Sequence, residues 1–467
     1  MHYAFGRGFL FGFLYYVGIY YWFIWFFPFD YANLPDIASI GVVALAWFGI
    51  SAVHGLLWCI PFVCCHLMRK LTKNRLFLSA FAILLIIAIQ KIVGLGELSF
   101  PWARISLGQY KATTFIQSAA IVGIDGVDML ILWINALLAL CVVCPTKKRV
   151  IAGSVALALF VANMSFGLIR LSHADRADNS LTILTAQASV PTEKKWADDG
   201  DVICYDIYSD LTKNGFTDDV DLILWPESAI PKIYTSTEDL KHYETISEEL
   251  GTPILAGIIL GDEKHNTNNT LLIDKGGVKA VYTKRKLVPF GEYMPYAKLL
   301  SRAFPMLTEL NIVEDDYIAG TDSAVMETLD CKIGNIICFE SIYPDLTRQS
   351  VLDGAQLIIE ASNDSWLETS PAMQQHLAHG VFRSIENGRY LVRTTNSGIS
   401  AVITFTGEIE QTLAVNEIGT LKATVNLHNN KTIYTLHGNI AFKIYAAIML
   451  AWWIIYLSKF TINKIKE

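Results

Sequence analysis

Three short stretches carry side chains whose chemistry is complementary. VDLILWPES (220–228) delivers Glu227 after an apolar run, VYTKRKLVPFGEY (281–293) delivers Lys284, and IGNIICFES (333–341) delivers Cys338. A free thiol ionises near pH 8.5, so a cysteine nucleophile needs a nearby cation and a base to work close to neutrality. Lys284 can supply the first and Glu227 the second. The same ammonium, with the Phe339 backbone N–H, can hold the negative oxygen of a tetrahedral intermediate, and that electrostatic role is usually the largest in acyl transfer. Taken one at a time the residues have plainer readings: Glu227 as a helix cap, Lys284 as one of a solvated KRK cluster, Cys338 as core. Together they suffice for acyl transfer.

The elements that would hold these groups begin near Leu181, where short β-branched runs alternate with helical stretches. Strands are expected at LTILTAQ, VDLILW, PILAGII, NTLLID, AVYTK, KIGNIIC, AQLIIEAS, RYLVRTTN and ISAVITF, and helices near 196–213, 237–249, 343–353 and 371–388. The alternation implies an α/β sandwich with helices covering the sheets. Segment 301–320 is irregular and reads as a mobile loop.

The rest of the chain is a different material. The 467 residues are 52% hydrophobic with a mean hydropathy of +0.37, too apolar for a wholly soluble protein. Runs near the length a bilayer requires occur at about 8–29, 38–65, 76–95, 117–144, 150–171 and 440–458. They predict six membrane spans, five before residue 172 and one at the end, with the 117–144 run interrupted by Asp125 and Asp128. Lys and Arg concentrate in HLMRKLTKNR, PTKKR and SKFTINKIKE and are absent from FDYANLPD. By the positive-inside rule both termini are cytoplasmic and the long polar stretch faces outward. The expected organisation is a helical membrane region over 1–171, an extracytoplasmic catalytic domain over 172–438, and a final span with a short cytoplasmic tail over 439–467. The first apolar run exceeds a signal-peptide core and no small-residue cleavage site follows it, so no cleavable leader is expected.

Other patterns are set aside. Three cysteines fall in the polar stretch (Cys204, Cys331, Cys338), and an odd number leaves at least one free thiol in a monomer. Cys141 and Cys144 sit in an apolar helix and read as packing. His376 and His379 have a ligand-like spacing but belong to a helix beside a sequence motif, so no metal or cofactor is expected. The net charge of −7 argues against a nucleic-acid partner.

Several segments together resemble the carbon-nitrogen hydrolase (nitrilase) superfamily, and more closely its membrane-embedded branch, the apolipoprotein N-acyltransferases. They are WPESAIP (225–231), YTKRKLVPFGEYMP (282–295), ICFESIYPD (337–345), SNDSW (362–366), QH (375–376), RSIENGRYLVRTTNSGISAV (383–402), YTLHGN (434–439) and, in the membrane part, FGRGFLFGFLYYVGIYYW and FPW (100–102). The resemblance implies an αββα sandwich carrying a Glu-Lys-Cys triad. It aligns Glu227 with the general base, Lys284 with the catalytic lysine and Cys338 with the nucleophile. Glu292 and Glu340 match further essential acids, and Trp196 and Trp366 match aromatic positions near the site, expected to contact substrate. The implied reaction is ping-pong: an acyl chain passes from a membrane phospholipid to Cys338 as a thioester, then to the N-terminal amine of a diacylglyceryl-modified lipoprotein. A monomer in the bacterial inner membrane, with its catalytic domain outward, is expected. The family usually has eight spans, and this chain starts where the third would lie. The usual WFG is Trp366-Leu367-Glu368 here, and the usual Gln-Gly-Asn or Gln-Gly-Asp is Gln187-Ala188-Ser189. The competing enzyme reading is a membrane-bound amidase or nitrilase with a small substrate, which would release free acid to water.

Overall fold

A computed structural model of the chain describes residues 1–28, 35–172, 177, 179–262, 265–303, 317–367 and 369–466. Most of the 301–320 loop, Glu368 and most of FDYANLPD lie outside the described residues.

The polar stretch folds as two sheets packed face to face. The first runs in the order β13-β1-β2-β4-β5-β6, with β3 (Ile233–Tyr234) on β4. Its members are β1 (Asn179–Gln187), β2 (Leu222–Trp225), β4 (Ile254–Gly261), β5 (Asn266–Asp274), β6 (Gly277–Thr283) and β13 (Gly419–Leu427). The second runs β12-β11-β10-β9-β8-β7, built from β7 (Val325–Thr328), β8 (Cys331–Ile337), β9 (Leu357–Ser362), β10 (Leu391–Thr395), β11 (Ser400–Ile403) and β12 (Ile409–Leu413). β1, β2 and β4 are parallel, as are β8, β9 and β10, while the outer strands pair antiparallel. Parallel strands covered on both faces are apolar at successive positions, which is why these runs are continuous in the sequence. Leu222, Leu224, Ile333, Ile337, Leu357 and Ile359 point between the sheets. Their neighbours Ile223 and Trp225 face the helices Gly200–Gly215 and Lys241–Leu250, and Ile336 and Ile358 face the helices Pro344–Leu352 and Ala372–Asn387. The four layers are αββα.

The N-terminal part is helical. Among the described residues, four helices are long and apolar enough to cross a membrane: Asp36–Met68, Arg75–Ile92, Ala119–Val143 and Thr146–Ser172. The first of these breaks at Trp58 into Asp36–Leu57 and Cys59–Met68. Pro61 explains the break, because its ring meets the carbonyl four residues back, that of Leu57. The apolar C-terminal stretch Ile440–Tyr456 is shorter than these four and packs on Arg75–Ile92, with Tyr445 donating to the Ala80 carbonyl at 2.8 Å. The run expected to span at 8–29 differs. Its helix covers His2–Ile19 and gives way to a 3₁₀ turn, Tyr21–Phe26. Six consecutive residues there, YWFIWF, include five aromatics. Trp22 is buried against Trp102 with ring centroids 5.5 Å apart, and Phe26 stacks on Trp366 of the catalytic half at 5.9 Å, so this packing outweighs continued helix.

Helix Ala119–Val143 joins the halves. Gly123 adopts φ +67°, open to glycine at little cost, and a Cβ there would lie 2.4 Å from the Tyr434 ring. At this break the Ile124 N–H donates to Glu386 Oε1 at 2.7 Å, an acceptor on helix Ala372–Asn387. Asp125 and Asp128, which interrupt the apolar run, are buried. Asp125 pairs with Arg104 and Lys91, and Asp128 accepts from the Ser106 N–H at 2.7 Å. Buried charges of this kind are tolerated when paired.

Candidate active site

Each candidate group sits just past the carboxyl end of a strand, where α/β sheets expose their loops. Glu227 follows β2, Lys284 follows β6, Cys338 follows β8, and Asn363 and Asp364 follow β9. The Glu227 turn presses on Gly257 of β4, where a Cβ would lie 2.4 Å from the Glu227 Cα, so only glycine admits this approach.

The structure brings Glu227, Lys284, Glu292 and Cys338 together. Lys284 Nζ lies 3.0 Å from Glu227 Oε1 and 2.8 Å from Glu292 Oε1, with Lys284 only 1% exposed. The Asn268 amide donates to the same two carboxylates at 2.7 and 3.0 Å. The Asn363 N–H holds Glu227 Oε2 at 2.8 Å, and the Val288 N–H holds Glu292 Oε2 at 2.8 Å. Burial opposes a charge on Lys284, but the two carboxylates outweigh it and keep the ammonium protonated well above its ordinary range. Cys338 is 3% exposed, and burial together with the Glu227 charge pushes its thiol up, with Lys284 only partly opposing. The resting Cys338 is therefore a thiol with a carboxylate at hand rather than a preformed thiolate. Its backbone has φ +49°, a left-handed conformation strained for a residue with a side chain.

Glu340 is fully buried and does not point at the reacting groups. Its carboxylate accepts from the Tyr282 hydroxyl at 2.8 and 2.7 Å, from the Ile337 N–H at 2.8 Å and from the Arg285 and Lys286 N–H groups at 2.7 and 3.2 Å. Burial raises its pKa and these donors counter the rise. It ties the residue before Cys338 to the two after Lys284, and so sets the spacing of the thiol and the ammonium. Phe339 is buried with its ring stacked on Phe100 at 5.7 Å. Trp366 stacks on Phe26 at 5.9 Å and 16°, so it forms part of the seam with the membrane half. Trp196 is 53% exposed at the end of the short helix Thr192–Lys195. The inward residue of that helix is Lys195, fully buried, whose amine burial brings down to about 8.

Reading the sequence missed Asn268, Tyr282, Asp364 and Arg393. Asn268 had a visible signal, since NTNNTLLID places polar residues where an apolar strand should continue. His376 and His379 do not converge on a common point: His379 Nε2 faces the Trp102 carbonyl at 3.2 Å, and His376 Nε2 faces that of Cys338 at 3.1 Å. Ligand-type atoms of Cys338, Asp364 and His376 do lie within 4.8 Å of one another. A cation placed there would confront the Arg393 guanidinium, which already pairs with Asp364 at 2.5 Å and with Glu360. All eight cysteines are free thiols.

Residues 184–433 match the family model described as carbon-nitrogen hydrolase, more than half of the chain. The chain belongs to the carbon-nitrogen hydrolase family. Residues 1–137 match a second model, the apolipoprotein N-acyltransferase N-terminal domain. This carbon-nitrogen hydrolase is similar to proteins named apolipoprotein N-acyltransferase. The one from Geobacter metallireducens is 29% identical over 94% of this chain and 84% of its own length. Those from Shewanella oneidensis (29%, over 75% and 68%) and Gloeobacter violaceus (27%, over 96% and 84%) are alike in name. Having both models in one chain marks an enzyme of the family's membrane acyltransferase branch.

Proposed function

We propose that this enzyme N-acylates the N-terminal diacylglyceryl-cysteine of lipoproteins, taking the acyl chain from a membrane phospholipid through a thioester on Cys338. The observation that carries the reading is the buried Glu227–Lys284–Cys338 constellation, walled by aromatic residues of the membrane half at Phe100 and Phe26. In the first half-reaction Glu227 takes the Cys338 proton and the sulfur adds to the ester carbonyl. The Lys284 ammonium and the Phe339 N–H stabilise the oxyanion. Collapse breaks the ester C–O bond, and Glu227 returns the proton to the departing lysophospholipid oxygen. In the second half the lipoprotein amine attacks the thioester, Glu227 accepts its proton, and the Cys338 thiol is regenerated as the amide forms. Glu292 shares the Lys284 charge, and Glu340 holds the two loops in register.

The same reading places the helical region 1–171 and the final span 439–467 in the bacterial inner membrane and turns 172–438 outward, in accord with the Lys and Arg pattern of the short loops. Trp366 and Trp196 are assigned to substrate contact at the bilayer side, and the working unit is a monomer. The test is mass spectrometry of the purified protein after incubation with phospholipid. One acyl mass on Cys338, absent in Cys338→Ala and discharged by a diacylglyceryl-cysteine peptide, is expected. Acylation at Cys204 or Cys331 would overturn the nucleophile assignment, and release of the acyl chain only as free acid would favour a hydrolase.

A further inference from the structure

The strained backbone of Cys338 must be held by its surroundings, and two hydrogen bonds do so. Before it, the Ile337 N–H is bound to Glu340 Oε2 at 2.8 Å. After it, the Cys338 carbonyl faces His376 Nε2 at 3.1 Å. A carbonyl oxygen only accepts, so Nε2 carries the hydrogen. The His376 ring is in turn immobilised. Its Nδ1 lies 3.0 Å from Asp364 Oδ1 and 2.8 Å from the Arg393 guanidinium, and its face lies against Trp102 with centroids 5.5 Å apart. Arg393 is anchored by Asp364 and Glu360. All of these side chains but Cys338 itself are no more than 1% exposed.

The consequence follows from peptide geometry. The Cys338 carbonyl and the Phe339 N–H belong to one planar trans unit and point in opposite directions, so whatever fixes the carbonyl also aims the N–H. We propose that His376, braced by Asp364, Arg393 and Trp102, is a positioning residue that aims the Phe339 N–H at the developing oxyanion. It neither touches substrate nor moves a proton. This rests on the acyl-transfer reading above, deepens it by one residue, and lets the membrane half act on the nucleophile through Trp102.

The discriminating experiment compares two reactions of the same thiol in the full-length protein in detergent micelles. Acylation by an ester passes through an oxyanion, whereas alkylation by iodoacetamide displaces iodide at a saturated carbon and forms none. His376→Leu should slow acylation about 10²-fold, the scale of one lost oxyanion donor, while alkylation changes less than about threefold. His376→Gln, whose amide N–H can reach the position of Nε2, should recover acylation to within about tenfold of the natural protein, and His376→Asn, which is too short, should not. Equal loss of both reactions in His376→Leu, no loss of acylation, or indistinguishable Gln and Asn variants would each overturn the assignment. Should the leucine variant fail to fold, the Gln and Asn pair decides. Acylation is run with phospholipid and with p-nitrophenyl butyrate. A natural protein that accepts only the aryl ester would sink the phospholipid donor and leave the His376 comparison to be decided on its own.

Discussion

Replacing Lys284 by methionine keeps the stem of the side chain and removes its charge, and the structure allows the result to be worked out in advance. A strand-end lysine looks expendable for folding. Yet Lys284 is 1% exposed and lies between Glu227 at 3.0 Å and Glu292 at 2.8 Å. Removing one partner of a buried ion pair costs about 3–5 kcal/mol because a buried charge is left uncompensated. Here the Asn268 amide and the Asn363 and Val288 N–H groups remain on the two carboxylates, which puts the cost at the lower end, about 3 kcal/mol. Domains are stable by about 5–15 kcal/mol, so Lys284→Met should fold with a lowered melting temperature. Its acyl-enzyme formation should fall by about 10²–10³, the range for a lost oxyanion contact. Lys284→Met combined with Glu292→Gln removes one of the two orphaned charges. It should regain part of the stability and none of the rate. Lys286 is the control: it is exposed, with its amine 5.4 Å from the Tyr343 ring, and Lys286→Met should keep acyl-enzyme formation within about threefold, as surface substitutions do. Quenched-flow mass spectrometry gives the rates and thermal unfolding gives the stabilities. Equal, mild losses for the two lysines, or a double variant that recovers rate along with stability, would refute the reasoning.

Two further outcomes are expected. Burial and the Glu227 charge raise the Cys338 pKa, with Lys284 opposing, so its thiolate appears at higher pH than that of free cysteine. Alkylation of Cys338 by iodoacetamide should therefore still be climbing at about pH 9, above the free-thiol midpoint near 8.5, and Lys284→Met should move the curve higher still; a plateau below about pH 8 would contradict the electrostatics. Gly123→Ala would put a methyl group 2.4 Å from the Tyr434 ring at a φ of +67°. It should cost about 1–3 kcal/mol, read as a lower melting temperature, and an unchanged value would mean that the break in helix Ala119–Val143 does not join the halves.

How much of this was legible depended on whether a residue's role was written in its own neighbourhood. The nine expected strands are present, and the six parallel ones among them, β1, β2, β4, β8, β9 and β10, leave unbroken apolar runs because both of their faces are covered. β13 escaped notice although Leu421, Ala423, Val425 and Leu427 are buried with Lys422 and Thr424 between them exposed, a clean period of two. Its polar alternation reads as loop unless the period is counted. Cys338, Lys284 and Glu227 were visible because each ends an apolar run with a chemically unexpected side chain. Glu340 was visible as an acid beside the cysteine, but its partners are three backbone N–H groups and Tyr282, which no local pattern announces. The 3₁₀ turn Tyr21–Phe26 was illegible for the opposite reason. Its residues are apolar enough for a span, and only the surface they meet, Trp102 and Trp366, decides that they fold back onto the catalytic half. Of the neighbours Lys195 and Trp196 the aromatic faces out and the amine faces in, an inversion that no local pattern announces.

A catalytic domain that needed only to be near lipid could hang from one helix through a flexible linker. The contacts here are of another kind. Phe100 stacks on Phe339, the residue after Cys338, Ser99 accepts from the Tyr343 hydroxyl through its carbonyl at 3.0 Å, and the Trp102 indole donates to Gln375 at 2.6 Å beside His376. One segment of the membrane half thus touches the loop carrying Cys338 and the helix Ala372–Asn387 that braces it. At the other end of that helix Glu386 caps the break at Gly123, so the helix is held by the membrane half along its length. Buried groups with directional partners on both sides cannot slide, because each hydrogen bond lost inside costs the desolvation of its donor or acceptor. Cys338 is therefore set in a frame of which the membrane half is a part, and severing the two halves would remove a wall of the site as well as its anchor.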